Sequence, residues 1–174
     1  FRFERWSGWE VGDSMALVWP ATIDYVGHHT FKAKIKNALY ERQVVFPAAV
    51  LDEANIQVFL NRALKAKVTY IRSFSSPIYE IARYMIGVGQ RLPVKGVVTT
   101  GEPLFKHKRE AIEKAFECPV LDSYRCREIG PIAQQCNKGN GMHVNMESVI
   151  VEVVAQDRDN GRQGNIVVTD LENY

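Results

Sequence analysis

The chain has 174 residues, 46% of them hydrophobic, with 22 Lys and Arg against 20 Asp and Glu and a formal charge of +2. That is one domain's worth of chain, able to bury a sizeable core without staples, and with neither sign dominant and no long basic run it gives no argument for nucleic acid or a charged membrane surface. Cys118, Cys126 and Cys136 are an odd set with no disulfide-scaffold density, no signal peptide is legible and no apolar run is long enough to span a bilayer, so the expectation is a cytoplasmic enzyme or binding domain.

Arg2, Arg5, Trp6 and Trp9 precede a Gly12-Asp13 turn that releases Met15-Ala16-Leu17-Val18-Trp19 as a buried strand closed by Pro20. Across residues 23–40, Phe31, Ile35, Ala38 and Leu39 recur at helical spacing among Lys32, Lys34 and Lys36, which predicts an amphipathic helix with a basic outer face. His28 and His29 stand at its start; adjacent helical side chains diverge and do not chelate one ion, so solvent exposure is expected for the pair. Val44-Val45-Phe46 is a second strand closed by Pro47, and Asp52 suits the N-cap of a helix reaching Leu64, with Ile56, Phe59, Leu60 and Leu64 inward. Trp19 and Phe46, each at a strand end beside a proline, can line an acyl pocket, but core packing is expected for both. Val68-Thr69-Tyr70-Ile71 is a third strand; Pro77 then falls where a first helical turn accepts it, with Ile78, Ile81, Ala82 and Met85 as the stripe and Gly87 and Gly89 as the release.

The stretch VVTTGEPLFKHKREAIEKAFECPVLDSYRCREIG, from Val97 to Gly130, carries the most information. A short apolar strand ends at Thr99-Thr100-Gly101-Glu102-Pro103, where Gly permits close backbone approach and Pro suits a first helical turn. A polar helix with Leu104, Ile112 and Phe116 on one side stops before Cys118-Pro119, and a further strand runs into the charged group Arg125-Cys126-Arg127-Glu128. Strand and helix have alternated four times by Phe116, which predicts α/β architecture: a mostly parallel sheet flanked by helices, with ligands outside the carboxyl ends of the strands. After Gly130 the turn clusters at residues 137–141 and 157–164 and the β-branched runs at 149–154 and 166–169 predict a short antiparallel β-meander. This divides the chain into an α/β subdomain at 1–130 and a β-rich subdomain at 131–174, both partial.

Thr99 to Pro103, then Arg109, Ile112, Glu113 and Phe116, then the run from Asp122 to Gly130 resemble the adenylate-forming superfamily, and within it the phenylacetate-CoA ligase-like branch and its capsular polysaccharide biosynthesis subgroup. Arg127, Glu128, Ile129, Gly130, Ile132, Ala133 and Cys136 are similar to that subgroup's continuation. The resemblance implies a large N-terminal domain that activates a small carboxylic acid with ATP to an acyl-adenylate, releasing pyrophosphate, then passes the acyl group to a thiol such as coenzyme A. It implies that Thr100, Gly101, Glu102 and Pro103 and the group Asp122, Ser123, Tyr124, Arg125 and Arg127 hold the nucleotide, with Glu128 as the catalytic carboxylate on Mg²⁺. Glu128 has a plainer reading, a surface carboxylate paired with Arg125 or Arg127; Tyr124 is otherwise an ordinary strand aromatic. Arg125 stands where many relatives have Gly and Arg127 where the wider superfamily has Ser or Thr, so Arg125 either points away or fills part of the site.

Phe1 is not an initiator Met and the chain closes on a strand-like run, so the sequence reads as an excerpt. By the same resemblance a phosphate loop lies upstream, and a ribose-binding Asp and a mobile C-terminal domain lie downstream; the excerpt alone is expected to be inactive. Cys136 and His143 straddle a Gly-rich turn at a spacing that suits two zinc ligands, but structural zinc takes four, and a buried thiol beside a surface imidazole is the simpler expectation. In some phenylacetate-CoA ligase-like proteins two further ligands lie downstream, which would make this half of a structural Zn site. Cys126 lies between two arginines, yet no His or other base is placed by sequence to make it a nucleophile. The different-class alternative is a degenerate adenylation fold serving as a non-catalytic binding or assembly module: Arg125 favours it and Glu128 argues against it. No P-loop or dinucleotide fingerprint is present, and oligomeric state is open.

Overall fold

The computed structural model describes residues 2–19, 42–139, 141–155 and 164–172. The helix expected over 23–40, with His28 and His29, lies outside them. Strands β1 (Met15–Trp19), β2 (Gln43–Pro47), β3 (Tyr70–Phe74), β4 (Gly96–Thr100) and β5 (Val120–Cys126) pair in parallel; β6 (Gly130–Gln135) returns antiparallel to β5, and β7 (Met142–Val144) antiparallel to β6. Together they form one seven-stranded sheet in the order β2-β1-β3-β4-β5-β6-β7. Strands β8 (Val149–Ala155) and β9 (Gly164–Asp170) make a separate antiparallel pair. The sheet is mostly parallel and flanked by helices, as the alternation of patterns predicts.

Among the described residues, three helices cover one face: α2 (Glu53–Lys65), α3 (Ser75–Val88) and α4 (Lys106–Phe116). Asp52 caps α2, its carboxylate accepting from the Asn55 N–H at 2.7 Å, and Gly89 closes α3 in the left-handed conformation at φ 67°. Apolar stripes at helical spacing meet the alternate residues of the strands: Ile56, Phe59 and Leu60 from α2, Ile78, Ile81 and Met85 from α3, and Ile112 and Phe116 from α4 bury against Val18, Ile71, Val97 and Val120. Phe46 belongs to this core, its ring 4.9 Å from that of Phe59.

The opposite face carries the other register of the same strands. Met15, Leu17, Tyr70, Val98 and Leu121 form a smaller cluster, covered by Trp6 and Trp9 from the segment that begins with the short helix α1 (Arg2–Trp6). Gln134 of β6, buried, donates to the Phe3 carbonyl at 2.7 Å and fastens that segment across the sheet.

Leu64, expected inward, is exposed, and Ala63 takes the core position beside Leu60. Element boundaries differ from the pattern reading as well. Helix α4 starts at Lys106, so Pro103 and Leu104 lie in the preceding turn, which crosses the start of α3: the Pro103 carbonyl accepts from Ser75 Oγ at 3.2 Å. Strand β3 runs on past Ile71 to Phe74, because Arg72 faces away from the helix layer and its charge finds a partner there.

Candidate functional site

The carboxyl ends of β1, β3, β4 and β5 meet at one edge of the sheet. Thr100 closes β4 in register with Ser123 of β5, so the Thr100–Pro103 turn and the Asp122–Arg127 segment lie side by side. Gly101 has φ 75°, and a Cβ there would fall 2.4 Å from the Phe74 ring, so only glycine fits this turn. The Glu102 carboxylate folds back onto α3, whose N-cap residue offers no side-chain acceptor; it accepts from Ser76 N–H at 2.9 Å, from Ser75 Oγ at 3.0 Å and from Ser76 Oγ. What this turn offers a ligand is therefore backbone.

Burial raises the Glu102 pKa, but the hydrogen bonds from Ser76 and Ser75 and the Lys108 charge outweigh it and hold the carboxyl below its ordinary 4.5. A depressed carboxylate contributes its stability above the unfolded value and loses it as pH falls through the folded one. Glu102→Gln is expected to cost about 1 kcal/mol at neutral pH, as loss of a helix cap does, with the gap from wild type in urea melts closing as pH falls from 4.5 through the depressed folded value.

Asp122 and Tyr124 alternate onto the helix-layer face at the end of β5. Burial pushes the Asp122 carboxyl up, against hydrogen bonds from Thr99 Oγ1 at 3.2 Å and the Ser123 N–H at 3.1 Å. Tyr124 is 45% exposed, a free aromatic face at the sheet edge. Residues 127–129 form the β5–β6 turn, closed by Gly130 at φ 83°, and Arg127 and Glu128 are exposed there. Ser123 pairs with Gln134 and Tyr124 with Ala133, but Arg125 pairs with Pro131, so Ile132 is the extra residue of a bulge in β6 beside this end of the sheet.

On the face opposite the helices the same edge opens into a cavity of about 540 Å³, lined among the described residues by Leu17, Trp19, Arg72, Phe74, Thr100, Gly101 and residues 125–127. Trp19 therefore lines a pocket instead of filling the core: β1 ends with its side chain on the open face, its ring 4.6 Å from that of Phe74. Arg125 turns inward, its Nε donating to Ser123 Oγ at 3.0 Å and its Nη2 lying 3.8 Å from the Glu4 carboxylate. Arg72, two residues before Phe74 on β3, donates to the same Glu4 oxygen at 2.9 Å. Burial and then the Arg72 charge pull the Arg125 pKa down, with Glu4 and Tyr70 acting the other way.

Arg72, Phe74 and Glu4 escape a local reading of the sequence. The available signal was a lone arginine inside an apolar strand pattern; its partner lies 68 residues away in the chain. Burial raises the Glu4 pKa, but Arg72, a backbone hydrogen bond and Arg125 bring it below its ordinary 4.5. Glu4→Gln removes the shared counter-charge of two partly buried guanidiniums and is expected to cost about 2–3 kcal/mol. Since Glu4 is depressed, its contribution is full above 4.5 and is lost as pH falls through the folded value, so the difference between wild type and variant in urea melts shrinks on acidification.

Away from this edge, Cys136 Sγ and His143 Nε2 approach to 3.2 Å where β6 leaves the sheet beside β7. No group of three or more His, Cys, Asp or Glu able to hold a metal occurs among the described residues.

No family model matches the sequence. Protein CapK of Staphylococcus aureus is 26% identical over 113 residues, 63% of this chain and 25% of CapK. A solved 2-hydroxyisobutyryl-CoA ligase in complex with 2-HIB-AMP and CoA superposes with a TM-score of 0.69 at 19% identity, over 98% of this chain and 38% of that one. The fold is that of the adenylate-forming CoA ligases. ATP-bound MatB from Rhodopseudomonas palustris shares the ligase fold with a TM-score of 0.59 at 15% identity, over 97% of this chain and 33% of MatB. A malonyl-CoA ligase with methylmalonyl-CoA and AMP bound does so with a TM-score of 0.53 at 16% identity, over 97% of this chain and 37% of that one. The chain thus spans a minor part of each relative's length. No helix among the described residues is long and apolar enough to cross a membrane.

Proposed function

We propose that this chain is the nucleotide- and acid-holding part of an ATP-dependent carboxylate ligase, one that forms an acyl-adenylate with release of pyrophosphate and passes the acyl group to a thiol, coenzyme A in the first instance. The observation that carries the reading is convergence: the Thr100–Pro103 turn and the Asp122–Glu128 segment, which hold the residues of the sequence resemblance, end adjacent strands beside a cavity of about 540 Å³. The relatives that share the fold were solved with AMP conjugates, ATP or CoA bound, which supports the same chemistry here.

In this reading Tyr124 stacks on the adenine and the Gly101 backbone comes close to its edge, as the absence of a side chain there permits. The Asp122 carboxylate accepts from the adenine amino group. Ser123 lies within the nucleotide-holding segment, with Arg125 anchored on its hydroxyl. Arg127, exposed at the turn, offers a guanidinium to phosphate. The acid enters from the open face between Trp19 and Phe74. Glu128 suits Mg²⁺, since it is an exposed hard carboxylate with no hydrogen bond or ion pair to a described residue, and Mg²⁺ in nucleotide sites takes one or two carboxylates plus phosphates. Such an ion supplies charge neutralisation on the phosphates; the chain's own part is to hold nucleotide and acid in one orientation, which lowers the barrier chiefly by positioning. The Cys136–His143 pair serves as half of a structural zinc site completed from elsewhere in the protein.

The test is acid-dependent ATP–pyrophosphate exchange by the whole protein that contains this chain, against fatty, aryl and dicarboxylic acids. Exchange with one class of acid is expected. A folded protein that binds AMP yet exchanges with none would instead be a degenerate binding module.

A further inference from the structure

Two of the arginines that line the cavity on the open face have a single carboxylate between them among the described residues. Arg72 and Arg125 share one carboxylate, Glu4, at 2.9 and 3.8 Å. Arg72 Nε, Arg125 Nη2 and Thr100 Oγ1, all buried atoms of cavity-lining side chains, have no hydrogen-bond partner. They sit on three neighbouring strands, β3, β4 and β5, and their side chains line one cavity. Buried polar atoms in folded proteins are almost always satisfied, so three orphans on side chains that line one cavity leave a demand for oxygen acceptors beside it. An alkyl or aryl acid does not meet that need: its hydrocarbon would lie against a desolvated guanidinium, the arrangement that low-dielectric interiors penalise most. Glu4 does not meet it either, since its nearer contact is taken by Arg72 and its distance to Arg125 exceeds hydrogen-bonding range. The apolar part of the lining, Leu17, Trp19 and Phe74, suits a short hydrocarbon spacer.

We propose that the acid accepted by this site is a diacid, whose second carboxylate is held by Arg72 and Arg125 while its first is presented at the Thr100–Gly101 turn. The inference rests on the carboxylate-activating reading above and names its substrate class. Arg125 is then a specificity residue: it replaces the small residue of many relatives because the substrate brings an anion to that position, and planar guanidinium groups pair with carboxylates through directed, charge-assisted hydrogen bonds.

Matched pairs test this in the whole protein: butyrate against succinate, hexanoate against adipate, phenylacetate against para-carboxyphenylacetate. The diacid is expected to exceed its partner in kcat/KM for ATP–pyrophosphate exchange by on the order of 100-fold. In Arg125→Met that ratio is expected to fall to about ten or less, by loss on the diacid. The variant leaves Glu4 paired with Arg72, and a thermal melt checks that it folds. Equal use of both acids by the wild type would overturn the proposal. So would an Arg125→Met variant that keeps the diacid ratio and weakens ATP equally with every acid, since the arginines would then serve the nucleotide phosphates. If no acid supports exchange, the ligase reading fails and calorimetry decides the pocket: adipate binding without hexanoate binding, lost in Arg125→Met, sustains the diacid site, and absence of adipate binding ends it.

Discussion

Glu128→Gln is expected to lower acid-dependent ATP–pyrophosphate exchange by roughly 100- to 1000-fold, the loss typical of removing one group that stabilises developing charge, while the urea midpoint stays in place. The separation of the two effects follows from where the residue sits. Glu128 is exposed in the turn at residues 127–129 and makes no hydrogen bond or ion pair to a described residue, so the exchange of carboxylate for amide removes no internal contact; surface changes of this kind fall within about 0.5 kcal/mol. The ion pair with Arg125 that spacing allows is not formed, because Arg125 turns inward to Ser123 and Glu4. Gln keeps an oxygen but loses the charge, so the variant should need a higher Mg²⁺ concentration for half-maximal exchange. Retention of activity within threefold of wild type, at the same Mg²⁺ requirement, would remove Glu128 from the mechanism.

The helix-layer face was legible in the sequence because its causes are local. Met15–Trp19 is an unbroken apolar strand bounded by Gly12-Asp13 and Pro20, Asp52 announces a helix by capping chemistry, and Ile78, Ile81, Ala82 and Met85 recur at helical period; each appears where the pattern puts it. The open face was not legible. Its covering helix α1 spans five residues, too few for a periodic signal, and is fixed by partners far along the chain, Arg72 and Gln134. The apolar run of β3 stops at Ile71 in the sequence, so nothing local marks Arg72 as a strand residue on the cavity face. A strand-end tryptophan usually packs in the core, which is the expectation for Trp19; alternation from Leu17 puts it on the cavity face instead. The Tyr124–Glu128 segment was readable only through family resemblance, since nothing in the period of Val120–Cys126 distinguishes a ligand-facing strand end from a plain edge.

Gly96→Ala is expected to destabilise the protein by about 3–4 kcal/mol, at the upper end for overpacking, and to loosen the candidate acid pocket although Gly96 lies at the far end of β4. A Cβ on Gly96 would fall 2.1 Å from the Ser7 carbonyl oxygen and 3.1 Å from its carbon, so backbone must move, and no rotamer relieves it. The segment it displaces is the one that carries Glu4: Ser7 N–H and Oγ both donate to the Glu4 carbonyl, at 3.1 and 2.6 Å. A shift of at least about 1.3 Å, from the built contact of 2.1 Å to ordinary van der Waals separation at 3.4 Å, carries Glu4 with it. Arg72 and Arg125 then face each other with a weakened counter-charge. The variant should therefore show both a lower urea midpoint and a pocket more sensitive to salt, measured as a steeper loss of diacid binding between low and high ionic strength than in wild type. Gly87 is the control. It lies within α3 with nothing within 4 Å of a built Cβ, so Gly87→Ala is expected to stabilise by about 0.5–1 kcal/mol through helix propensity alone. If Gly96→Ala leaves the midpoint unchanged while Gly87→Ala raises it, the contact between Ser7 and β4 is not the clamp that holds Glu4 against the two arginines.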